Sequence, residues 1–142
     1  KMKHKVFIDS SVFIIAKEKP GSNSEKIIEL LASKQIDALI SGKVVKEVFN
    51  YFKNHYNKQI ASDYKYFLIQ SCTIIEETEI SQEINKWKNK IKKKDLEHIA
   101  TVKLFNLTKL IAFDKDFKSF PEYRTPKQFV NQFGLKPKET DY

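Results

Sequence analysis

Five acids in this chain have the types and spacing to do chemistry. Asp9 interrupts the apolar stretch "VFIDSSVFI" (6–14), Glu47 sits in "SGKVVKEVFN", Asp95 follows "IKKK", and Asp114 and Asp116 share "AFDKDF". Each has an ordinary structural use when taken singly. Asp9 and Asp95 suit helix caps, Asp114 and Asp116 suit turns, and Glu47 suits the wet face of a helix. Brought to one place they do something else. Clustered carboxylates repel one another unless a cation neutralises them. With no cluster of Cys or His alongside, an oxygen-only set suits Mg²⁺ or Mn²⁺ rather than Zn²⁺. Such an ion polarises a phosphoryl oxygen and generates hydroxide from bound water.

Apolar runs alternating with helical patterns must position these acids. "KVFID" (5–9), "DALIS" (37–41), "CTIIEE" (72–77) and "KLIAFD" (109–114) read as strands. Residues 23–34 read as a helix with Ser24 as its cap, and 44–56 and 60–70 as a helical pair. A long helical region is expected from Ser81 to about Leu107, and a last helix over 125–133 with Pro126 in its first turn. Strands separated by helices, and apolar throughout, predict a three-layer α/β/α fold with a mainly parallel sheet of four to five strands. Functional groups in such a fold gather at the carboxyl ends of the strands. Asp9 ends the first predicted strand and Asp114 the fourth, and a right-handed topology allows Glu47 and Asp95 to join them.

The chain of 142 residues fits one domain with its own core. Lys1 ahead of Met2 reads as an addition, so residues 1–4 are set apart as partly foreign; the stretch from Gly134 reads as a flexible tail. The apolar runs are short beside a membrane span of ~20 residues, and no leader pattern is visible, which points to the cytoplasm. Cys72 is the single cysteine, which removes an internal disulfide and a Cys-based zinc cluster. It falls inside a predicted strand with no His nearby, so a thiol nucleophile is not expected. A haloacid-dehalogenase-type phosphatase would need an acid where Ser11 stands, and three glycines supply no phosphate-binding loop. His98, three residues after Asp95, shares its helical side; we assign it to packing and outside the catalytic set.

A net charge of +8 favours a polyanionic partner, although lysine-rich composition has other origins. Lysines at 86, 88, 90, 92, 93 and 94 crowd "NKWKNKIKKKD" and run directly into Asp95. At that place they would draw phosphates towards an otherwise repelling acidic site. Ile80, Ile84, Trp87 and Ile91 give the same region one buried face. The aromatic-rich stretch 48–67 fits two helices on one core, and any exposed remainder suits a homodimer or a protein partner.

Taken together, "VFIDSSVFI", "ISGKVVKEVFNYF", "KKKDLEHIATVKLFN", "LIAFDKDF" and the closing "RTPKQFV" resemble a PIN-domain ribonuclease over nearly the whole chain, most closely the VapC-like toxins of toxin–antitoxin pairs. The resemblance implies metal-dependent endonucleolytic cleavage of RNA and an antitoxin protein as partner. It makes Asp9, Glu47, Asp95 and Asp114 the catalytic, metal-binding acids, with Asp116 as helper to Asp114. Ser10 and Ser11, beside Asp9, and Lys92, Lys93 and Lys94 are the expected substrate-binding residues. One departure is Ala112, where the pattern often carries Thr or Ser. Two alternatives share the fold: a module that binds RNA or protein without cutting, and an RNA-processing or quality-control nuclease.

Overall fold

The computed structural model describes residues 4–142; the expectation for Lys1 and Met2 lies outside them. Its strands are β1 (His4–Ile8), β2 (Ile36–Ser41), β3 (Cys72–Ile75), β4 (Lys109–Ile111) and β5 (Tyr123–Arg124). They form one sheet in the order β3-β2-β1-β4-β5, and every pair is parallel. The crossovers are helical: α1 (Ser10–Glu18) and α2 (Asn23–Ala32), α3 (Gly42–His55) and α4 (Lys58–Ser71), then α5 (Glu77–Trp87) and α6 (Leu96–Leu104), with α7 (Pro126–Phe133) closing. The expected three-layer fold is therefore observed, with five strands.

Burial explains why β1 is apolar without alternation. Val6, Phe7 and Ile8 have no exposed surface, because helices cover both faces of a parallel sheet. Each such side chain contributes roughly 1.5–3 kcal/mol of hydrophobic stabilisation. The order of strands reverses between β1 and β4, and the crevice beyond such a reversal is where α/β sheets bind ligands. The two strand ends are tied there, since the Asp9 amide donates to the Ile111 carbonyl at 2.9 Å.

Two expectations need correction. The cap of α2 is Ser22, not Ser24; the Ser22 hydroxyl accepts from the Glu25 amide, while Ser24 is buried. Gly21, at φ +80°, completes the preceding turn, so the helix starts at Asn23 as expected, with Ser22 directly ahead of it. The long helix expected from Ser81 to Leu107 is also broken. The chain leaves α5 after Trp87 and passes through a short 3₁₀ turn at Lys93–Asp95 before α6. Lysines four apart on one helix repel, and Lys86/Lys90, Lys88/Lys92 and Lys90/Lys94 would all stand so. The predicted single apolar face is split accordingly. Ile80 and Ile84 pack with Ile75 and Ala100, whereas Trp87 and Ile91 pack on the main core.

The closing stretch beyond Gly134 has no regular secondary structure. Its backbone is bonded to buried Asn23, whose Oδ1 accepts from the Lys138 amide at 2.7 Å and whose Nδ2 donates to the Thr140 carbonyl at 3.0 Å.

Candidate metal centre and active site

Asp9 caps α1 at the exit of β1. One carboxylate oxygen, Oδ2, accepts the Ser11 hydroxyl at 2.6 Å and the Ser11 amide at 3.4 Å. The other, Oδ1, lies 2.7 Å from Nε2 of His98. Burial by itself would raise the Asp9 pKa, but the His98 hydrogen bond and charge, with the Ser11 bonds, outweigh it and hold the carboxyl below its usual value. His98 is buried, with its ring 4.6 Å from that of Phe7 and stacked at 16° on Phe117. It comes from α6, so this pair pins that helix to the end of β1.

The second half of the site is more acidic. Asp95, Asp114 and Asp116 each offer an oxygen, and these atoms lie within 4.8 Å of one another. Asp114 follows β4 and accepts the Asp116 amide at 2.9 Å as the chain turns through Lys115–Phe117. Asp95 precedes α6, is buried, and makes no capping bond. Its pKa is raised, first by burial and then by the charge of Asp114, with Asp116 adding to it; Lys94 and His98 only partly offset this. Asp116 titrates below its usual value, chiefly because Lys92 bonds to it, with Nζ 2.7 Å from Oδ2. Lys94 Nζ stands 3.4 Å from Asp114 Oδ2.

The donor set fits a hard divalent cation. It is all oxygen, and it concentrates three carboxylates within reach of one ion.

Of the acids singled out in the sequence, then, Asp95, Asp114 and Asp116 meet directly. Asp9 and Glu47 are not among those three: Asp9 bonds to His98 of α6, and Glu47 of α3 accepts the Ser10 hydroxyl through Oε1 at 3.2 Å. Ser10 and Ser11 are thus engaged with the acids, as are Lys92 and Lys94. Lys93 faces elsewhere, lining a depression with Glu77 and Glu97. Ala112 is buried at the end of β4, its amide bonded to the Arg124 carbonyl at 3.1 Å. His98 is the residue that sequence reasoning left out. Its spacing from Asp95 was the available signal, yet its partner is Asp9, which no helical periodicity indicates.

The PIN domain family model matches residues 6–123. The chain belongs to the PIN domain family. None of the curated proteins matches it. Among solved structures, this PIN domain is similar to a toxin–antitoxin complex from Klebsiella pneumoniae at 23% identity and TM-score 0.64, covering 85% of this chain and 97% of the other. It is also similar to VapC20 of Mycobacterium tuberculosis, described as a sarcin–ricin loop cleaving toxin, at 15% identity and TM-score 0.60, covering 80% and 93%. A third is VapBC2 from Rickettsia felis bound to a fragment of promoter DNA, at 18% identity and TM-score 0.59, covering 85% and 98%. At these identities the likeness concerns the fold.

Proposed function

We propose that this PIN domain is a Mg²⁺- or Mn²⁺-dependent endoribonuclease acting in the cytoplasm as the toxin of a toxin–antitoxin pair. The observation that carries the reading is the meeting of Asp95, Asp114 and Asp116 within 4.8 Å at the strand-order reversal. Family membership and the shared fold of a sarcin–ricin loop cleaving toxin and two toxin–antitoxin assemblies support it.

Asp95, Asp114 and Asp116 would hold the cation, with Asp9 beside them and Glu47 at the rim. When bound, the cation supplies an activated water and polarises the phosphoryl oxygen. Asp9 is kept ionised and oriented by His98 and Ser11, so its carboxylate needs no rearrangement when RNA arrives. Glu47, linked to the Ser10 hydroxyl, is the group available to orient the attacking water. Lys92 and Lys94 neutralise Asp116 and Asp114 in the structure. With the acids holding a cation, Lys92 and Lys94 would be free to hold phosphates flanking the scissile bond.

The test is cleavage of ribosomal and transfer RNA by the purified protein in Mn²⁺, in Mg²⁺ and in EDTA, with Asp114→Asn as control. Discrete fragments that require metal and disappear in the variant are expected. Intact RNA under every condition, together with an unfolding midpoint that millimolar Mn²⁺ leaves unchanged, would overturn the proposal. Growth arrest on expression, relieved by the product of an adjoining antitoxin gene, separates the toxin role from RNA processing.

A further inference from the structure

Trp87 ends α5 and Phe120 lies in the loop before β5. Their rings meet edge to face, with centroids 5.7 Å apart at 63°. They wall a cavity of about 360 Å³ that also reaches Asp95 and Asp116 and carries Lys90 and Lys92 at its side. This volume falls in the range of small-molecule sites, roughly 300–1,000 Å³. The wall is held firmly. The Trp87 indole N–H donates to Glu83 Oε2 at 3.0 Å. Lys103, itself bonded to Glu122 at 2.9 Å, sits 5.8 Å from the Trp87 ring and 5.6 Å from that of Phe120. Neither aromatic is fully buried. A cation, Lys90, stands over Trp87 at 5.3 Å.

An aromatic corner, two lysines and the acidic centre thus open into one cavity. Flat apolar guests that carry an anionic group match that combination. We infer that the cavity receives one unpaired nucleobase of the RNA, next to the phosphate to be cleaved. Its face lies against Trp87 with Phe120 at its edge, and its phosphate meets Lys90 or Lys92. Bases stack on aromatic side chains whatever their identity, and Ser119 in the same wall offers a hydroxyl to the base edge. A base inside an A-form duplex is stacked and paired and does not enter such a cavity. This inference rests on the endoribonuclease reading and adds a position for one base beside the acidic centre.

Trp87 is the only tryptophan, so its emission reads the cavity directly. We would titrate the wild-type protein in EDTA with a ten-nucleotide RNA containing all four bases, with the same RNA paired to its complement, and with inorganic polyphosphate. Saturable quenching by the single strand, and little by the duplex or polyphosphate, is expected. Anisotropy of the labelled single strand should show binding weakened about tenfold or more in Trp87→Ala and within about threefold of wild type in Trp87→Phe. Equal quenching by polyphosphate would mean a charge effect on Lys90 and overturn the inference. So would absence of binding, binding without quenching, or unchanged affinity in Trp87→Ala. Quenching without metal-dependent cleavage of any RNA would leave the base site standing and remove the nuclease reading; cleavage without quenching would do the reverse.

Discussion

His98 Nε2 lies 2.7 Å from Asp9 Oδ1, a bond between residues 89 apart in sequence. Asp9 belongs to the exit of β1 and His98 to α6, so the bond ties that strand end to the helix that Asp95 precedes. Groups that orient metal-site carboxylates typically matter 10- to 100-fold for affinity or activity. His98→Ala should therefore lower RNA cleavage by about that factor and raise the Mn²⁺ concentration needed for half-maximal rate. Unchanged metal dependence in a folded variant would restrict His98 to packing between Phe7 and Phe117.

Asp95 predicts a conflict between stability and function. Its folded pKa lies above the unfolded value, so the ionised carboxyl costs stability at neutral pH, and that cost fades as pH falls through the raised folded value and is gone below the ordinary carboxylate value. In EDTA at pH 7, Asp95→Asn should melt higher than wild type, and the difference should shrink towards pH 3. In Mn²⁺ the order should reverse, because only the wild type gains from ligand binding, about 2.7 kcal/mol at a hundredfold excess over Kd. Paired melting curves in chelator and metal check both signs.

Cys72 should be chemically quiet. Burial pushes its thiol up to about 12, so at pH 8 its thiolate is roughly a thousandfold scarcer than that of a free cysteine. Alkylation by iodoacetamide should be slower by about that factor in the native protein and rapid in denaturant. Fast native labelling would mean that the start of β3 opens readily.

Asn23 ties the closing stretch to α2. Removing its side chain breaks its bonds to the Lys138 amide and Thr140 carbonyl, which belong to exposed residues that water can reach, so the loss is that of the bonds themselves, about 0.5–1.5 kcal/mol each. Asn23→Ala should lower the unfolding free energy by that amount and speed hydrogen exchange in residues 136–142. Equal exchange in the two proteins would show that other contacts hold this stretch.

Much of the architecture was legible locally. The unbroken apolar runs around Phe7, Ile40 and Leu110 require cover on both faces of a sheet, and alternation with helical patterns leaves few topologies beyond the parallel one. Asp9 and Asp114 were legible for the same reason, since a charge within a few residues of the end of a buried strand stands where the chain exits the sheet. The α5–α6 break was harder to see, because apolar spacing from Ile80 to Ile91 continues through it while the lysine charge that opposes it acts between side chains.

By itself, then, the sequence determined four of the five strands, the fold class and which carboxylates lie near strand ends, because burial period and chain exit are local properties. Only the tertiary structure decided that Asp116 joins Asp95 and Asp114 in one cluster, and that Asp9 turns both its oxygens to Ser11 and His98. It also decided that Trp87 opens beside the acids rather than continuing a helical stripe. These pairings depend on how β1, β4 and α6 come together, and contacts between residues distant in sequence leave no periodic trace along the chain.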